Sequence, residues 1–139
     1  MHIPSLLCAI AIPAWVGMAQ AADLTITITG AGSAGEIRAM LFDNPAGFDK
    51  RGDAVASFAV TPRNGQVTVM IANLPPGTYA VATFQDQKGT QQLDTDILGI
   101  PTEPYGFSND ARGLIGPPGF DQAAFPLETS DLAITIRLR

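Results

Sequence analysis

The chain has 139 residues, a formal net charge of −5 at neutral pH and 46% hydrophobic residues. That length suffices for one ordinary domain with its own core. The acidic balance argues against nucleic acid or anionic lipid as a partner, and a single Cys excludes an intrachain disulfide.

The first element in the chain is a short apolar run, Leu6 to Val16, broken by Pro13 and followed by Ala19-Gln20-Ala21. An apolar stretch ending in a small-x-small site reads as a secretory signal, cut after Ala21. It is shorter than the about 20 apolar residues that a membrane span needs. Its start carries only His2, with no Lys or Arg. Leu6-Leu7 before Cys8 does not fit a lipoprotein cleavage site. Removing residues 1–21 removes the only Cys, Cys8, the only His, His2, and the only Trp, Trp15. The mature chain, residues 22–139, then has no thiol and no imidazole. A Cys nucleophile, a Ser-His or Cys-His pair and a Cys/His zinc site are all excluded for it. Its expected location is the periplasm or the exterior, with no transmembrane segment.

The mature sequence reads as strand after strand. Leu24, Ile26 and Ile28 alternate with Thr25, Thr27 and Thr29, the period-2 pattern of a half-buried strand. Glu36 to Phe42 is apolar on both faces apart from Arg38, which suits a central strand. Ala54–Thr61 and Gln66–Ala72 are expected to form a hairpin, because Asn64-Gly65 supplies the positive φ of a tight turn. Pro75-Pro76-Gly77 opens a strand from Thr78 to Gln85. Ala123–Glu128 follows, with Pro126 arguing for an edge. The chain closes on Leu132, Ile134, Ile136 and Leu138, with Arg137 and Arg139 on the other face to discourage edge pairing. About seven short strands and no convincing helical period predict an all-β fold, a Greek-key β-sandwich, with a small barrel as the alternative.

Two segments interrupt the rhythm. Asn44-Pro45-Ala46-Gly47-Phe48, followed by Lys50-Arg51-Gly52, reads as a loop in which Phe48 plugs one end of the sandwich and the two cations are solvated. Asp86 to Asp121 has no clear strand pattern. Loops of that length are uncommon in compact domains unless functional or disordered. This one carries Leu93, Ile97, Leu98, Ile100, Tyr105, Phe107, Leu114, Ile115 and Phe120, enough apolar surface to pack, so an ordered excursion over the sandwich is expected.

Several elements then become familiar together. Pro75-Pro76-Gly77-Thr78-Tyr79, Leu93-Asp94-Thr95-Asp96-Ile97-Leu98-Gly99-Ile100-Pro101, Tyr105-Gly106-Phe107-Ser108-Asn109 and Gly116-Pro117-Pro118 resemble the domain of unknown function 2141 family of exported bacterial proteins. The resemblance covers nearly all of the mature chain. It implies a prealbumin-like or immunoglobulin-like sandwich and no established activity. Members often have His-Asp and an Asn/Gly-rich stretch before Leu-Asp, a stretch that looks like a calcium loop. Here Gln85 stands at the His position and Lys88 where an oxygen ligand is expected, which weakens that implication.

Three chemistries remain as candidates. Asp86, Asp94 and Asp96 could converge on calcium, which takes 6–8 oxygens, or could instead accept N–H bonds and hold turns. Asp43, Asp94, Asp96 and Glu103 could supply an acid and a base for glycan hydrolysis, though no spacing selects a pair. Tyr105, Phe107, Asn109, Arg112 and Phe120 offer the aromatic area, amide and guanidinium of a recognition patch; alternatively Tyr105 and Phe107 anchor the loop and Arg112 pairs with Asp110 or Glu103. The reading adopted from sequence is a non-catalytic binding or accessory module of the cell envelope. It uses the 93–120 loop toward an envelope protein or glycan and needs no cofactor. A calcium-stabilised structural module and a carboxylate-dependent glycan hydrolase are the alternatives. The mass of the protein recovered from the envelope fraction tests the first step: it is expected to equal residues 22–139, and an uncleaved chain would overturn the export reading.

Overall fold

Leu24, Ile26 and Ile28 are wholly buried, and the Thr residues between them are half-buried. These residues form strand β1 (Ala22–Thr29) in a computed structural model that describes residues 20–95 and 101–139. Residues 1–19 of the signal segment and the calcium candidate Asp96 lie outside the described residues. The other strands are β2 (Glu36–Phe42), β3 (Ala56–Val60), β4 (Val67–Leu74), β5 (Gly77–Asp86), β6 (Tyr105–Phe107), β7 (Phe125–Leu127) and β8 (Leu132–Arg137).

They form two sheets, as an all-β sandwich requires. One has the order β4-β1-β8, with β1 antiparallel to β4 and parallel to β8. The other has the order β3-β2-β5-β6, with β7 also paired to β5. The chain changes sheet after β1, β3, β4 and β7, so the inner faces enclose one apolar core of Leu24, Ile26, Ile28, Ile37, Leu41, Val81 and Ile136, among others. At the β4–β5 crossing the Tyr79 hydroxyl donates to the Pro75 carbonyl at 2.6 Å, a tyrosine corner that fixes the Pro75-Pro76-Gly77 bend.

The Asn64-Gly65 turn forms as expected, with φ of 53° and 79° and reciprocal bonds between Arg63 and Gln66. The expected hairpin does not. Beyond that single bridge, β3 joins β2 and β4 joins β1 in opposite sheets. The physical reason is that Phe58 and Val60 on β3 and Val67, Val69 and Ile71 on β4 all face the same core, and they can do so only from opposite sides of it.

Two short helices also depart from the all-strand reading. In α1 (Pro45–Lys50), the Asn44 side chain accepts the Gly47 N–H at 2.8 Å, and Pro sits at the first position. The second, α2 (Phe120–Ala123), lies at the end of the long excursion. No helix among the described residues is long and apolar enough to cross a membrane.

Strand β5 organises the second sheet. Its residues Tyr79 to Asp86 are all buried. One edge pairs with β2 from Ala80 to Asp86; the other is shared end to end by β7, at Gly77–Tyr79, and β6, at Ala82–Phe84. In the gap between them the Val81 N–H donates to Ser108 Oγ at 2.9 Å, so no backbone donor is orphaned there. Replacing Tyr79 by Phe removes the corner bond and keeps the ring. An unfolding free energy lowered by about 1 kcal/mol in urea titration is the expected result.

Candidate functional site

The excursion from Gln87 to Gly119 divides into a polar half, an aromatic half and a tip. The polar half is built on two buried carboxylates. Asp86 receives Arg38 Nε at 3.0 Å, Thr90 N–H at 3.0 Å and Gln91 N–H at 2.9 Å. Glu103 receives the N–H groups of Gln87, Lys88 and Asp94 at 2.7, 3.2 and 3.1 Å. Next to them Gln85, fully buried, accepts the Gly32 N–H and donates to the carbonyls of Gly32 and Ala34. These side chains supply the hydrogen bonds that a strandless segment cannot make for itself. Burial alone would raise the Asp86 pKa. The N–H of Gln91, the Arg38 side chain and the N–H of Thr90 outweigh that, and the carboxyl is held below its ordinary value.

The aromatic half covers the outer face of β5. Ala80 and Ala82 are small there, leaving room for Phe42, Phe48 and Phe107 to pack as a second cluster. Phe48 is its hub: its ring centroid lies 5.7 Å from that of Phe42, 6.0 Å from Phe107 and 5.9 Å from Phe120. So Phe48 does not plug an end of the sandwich; α1 lays it across the outer face of a sheet. Nor is Arg51 solvated. Its guanidinium lies 4.4 Å from the Phe48 centroid and 5.1 Å from that of Phe107, and burial lowers its pKa against the opposing pull of Asp49.

The Tyr-Gly-Phe-Ser-Asn element accounts for this half residue by residue. Tyr105 packs edge-on against Phe107, centroids 6.0 Å apart, and exchanges backbone bonds with Arg139. A Cβ on Gly106 would sit 2.9 Å from Arg137 O and from Ile136 Cγ2, so only Gly lets β6 approach β8 this closely. Ser108, fully buried, donates to the Ala123 carbonyl at 2.6 Å. Asn109 adopts a left-handed φ of 61° and donates to the carbonyls of Gln122 and Ala124.

Residues 111–119 form the tip. Gly113 is pressed against the carbonyls of Gly116 and Pro117, where a Cβ would lie 2.3 Å from the nearer oxygen, and Gly116 has a φ of 76°. This tight turn drives the two residues between outward: Leu114 and Ile115 have relative exposures of 104% and 96%. Arg112 beside them is exposed, and the ion pairs among the described residues do not include it.

The sequence candidates therefore separate. Phe107 is buried and Phe120 and Tyr105 are half-buried in the aromatic layer, while Asn109, though exposed, is bonded to the backbone of the α2 segment; Arg112 is exposed and outside the ion pairs of the described residues. Among the metal candidates, Asp86 is occupied by N–H donors, and the exposed Lys88 ammonium lies 4.0 Å from Asp94. No group of three or more metal-ligating side chains gathers among the described residues. Asp110 accepts the Arg137 N–H and Glu103 accepts backbone N–H groups; the arginine ion pairs among the described residues are those of Arg38 with Glu36 and Asp86, and neither Asp110 nor Glu103 takes part in one. Sequence reasoning named Gln85 and Ser108 only as motif positions and missed their bracing roles, which depend on partners 53 and 27 residues away. It named Leu114 and Ile115 only as packing residues, and they are the most exposed large apolar side chains of the described chain.

A second surface feature lies beside β3. Arg38, Met40, Ser57, Ala59, Phe84 and Gln91 line a shallow groove of about 370 Å³ on the outer face of the second sheet.

The fold and this braced excursion define a two-sheet β-sandwich whose longest connection covers one of its sheets. The chain belongs to the DUF2141 family, described as uncharacterized proteins conserved in bacteria, which matches residues 26–135. Neither the curated proteins nor the solved structures contain a match.

The polar half yields a stability prediction. A carboxyl with a lowered folded pKa contributes stability that is present above its unfolded value, about pH 4, and is lost as the pH falls through the folded value. Asp86→Asn is therefore expected to destabilise the protein at neutral pH and to flatten the acid limb of a melting-temperature profile. Glu103→Ala leaves three N–H groups without their acceptor and should cost about 3 kcal/mol in chemical denaturation.

Proposed function

We propose that the mature domain is a non-catalytic binding module of the bacterial cell envelope, and that the 111–119 tip holds a partner protein. One observation carries this reading: Leu114 and Ile115 are fully exposed on a turn whose two flanks are tied down by hydrogen bonds and aromatic packing. Covering one such side chain is worth about 1.5–3 kcal/mol, and a braced turn loses little entropy on binding. A glycan is the weaker candidate. Sugar recognition favours an open aromatic face with polar groups around it, whereas Phe107 and Phe120 pack against Phe48. The non-catalytic reading rests on the absence of His and Cys from residues 22–139 and on the commitment of Asp86 and Glu103 to backbone N–H groups. The same commitment supports a domain stable without calcium.

The double variant Leu114→Ser/Ile115→Ser tests the reading. Its stability should stay within about 0.5 kcal/mol of the parent, as for other exposed positions. In-cell chemical cross-linking should then lose the adduct formed by the parent protein. An adduct that persists in the folded variant would contradict the reading. Melting in EDTA and in excess calcium should coincide; a calcium site would raise stability by about 2.7 kcal/mol at a hundredfold excess over its dissociation constant.

A further inference from the structure

We propose that the outer edge of β3, which no strand among the described residues pairs, is a second binding site, distinct from the tip, which takes an extended segment of a partner polypeptide as an added strand. Edge strands expose unpaired N–H and C=O groups, and folded proteins usually blunt them with charge, proline, a bulge or brevity. The other edges of this sandwich carry such devices. In β4 the pairing with β1 slips near Asn73, which has a φ of 59° and gives its N–H to Asp23 Oδ1 at 3.0 Å. On β8, Arg137 is exposed and its N–H is taken by Asp110 at 3.0 Å. Three-residue β6 is bonded on its far side to Arg139, and three-residue β7 contains Pro126. Strand β3 has none of these. Its register with β2 is unbroken from Ala56 to Val60, and no charge or proline occurs from Ala54 to Thr61.

Both faces beside this edge have space for side chains. On the outer face the edge residues are the small Ser57 and Ala59, and the groove bounded by Arg38, Met40, Phe84 and Gln91 opens over them. A strand added about 4.8 Å beyond β3 would set its side chains next to that shelf. On the inner face Phe58 and Val60, with Val69 and Ile71 across the core, are only partly buried, so the core is open along this side. The occupant these surfaces fit is a proline-free segment with bulky apolar side chains on both faces. A second copy paired β3 to β3 is a poorer fit: each copy would contribute a five-residue edge, against the about 20–30 residues a side of a standard interface. Addition of a strand to a sheet edge is an established mode of peptide recognition.

The test places the photo-cross-linker benzoylphenylalanine at Val55, which is exposed just before β3, and at Met70 on β4 as a control, in cells producing the full chain. The expected Val55 adduct maps to one segment of another polypeptide, flanked by bulky apolar residues, and is absent from the Met70 control. Ala59→Lys, which charges the exposed edge without touching the core, should reduce that adduct at least about tenfold, while Leu114→Ser/Ile115→Ser leaves it unchanged. Made as a peptide, the mapped segment should bind the purified protein at least about tenfold more tightly than its copy N-methylated at alternate amides. Any one of four results would overturn the proposal. They are no adduct beyond the Met70 control, an adduct indifferent to a folded Ala59→Lys protein, equal binding of the methylated peptide, or an adduct to a second copy of this chain.

Discussion

Burial of β5 on both faces is the constraint on which the rest of the structure depends. A sandwich strand ordinarily buries one face and shows water the other. Here eight residues in succession, Tyr79 to Asp86, are inside. The inner face is closed by the first sheet. The outer face needs a cover, and α1 with the aromatic half of the excursion provides it through Phe48, Phe107 and Phe120. The far end of the strand is polar, since Gln85 and Asp86 are buried there, and buried polar groups need partners. Gly32, Ala34, Arg38, Thr90 and Gln91 supply them. A long segment without regular structure thus becomes fixed because the strand it leaves from demands it.

This separates scaffold from surface in the excursion. Asp86 and Glu103 face N–H groups, so their charge is spent holding backbone. Tyr105 to Asn109 hold β6, β8 and α2 together. What the excursion offers to another molecule is confined to residues 111–119, where a glycine turn presents Leu114 and Ile115. The edge of β3 offers something different, a row of backbone groups beside a shelf of small side chains. The tip would recognise apolar shape and the edge would recognise an extended backbone, so the two surfaces call for different partners or different parts of one partner.

Much of the sheet framework was legible in the sequence, because the side-chain period of a half-buried strand is written in alternation: Leu24, Ile26 and Ile28 announced β1, and Pro126 marked β7 as an edge strand. Sheet membership was not legible. Asn64-Gly65 specifies a turn and says nothing about whether the strands beyond it stay paired, and here they part to line opposite sides of the core. Strand β6 escaped notice because three residues with a central Gly are too short to show a period. Helix α1 could have been read from Asn44-Pro45, an N-cap followed by Pro at the first helical position. Anchoring by Tyr105 and Phe107 was the alternative to a recognition patch, with Gly106 and Ser108 beside Phe107 as a hint. The exposure of Leu114 and Ile115 was not, since composition alone suggests that aliphatic residues pack.

The central claim is that the excursion is a fixed platform with one free tip, and native-state hydrogen exchange measures that directly. The account predicts that the amides of Gln87, Lys88, Thr90, Gln91 and Asp94, each bonded to a buried carboxylate, are protected, while those of Leu114 and Ile115 exchange at nearly the rate of an unstructured peptide. Rapid exchange along the whole excursion would contradict it, because the tip would then have no platform to stand on.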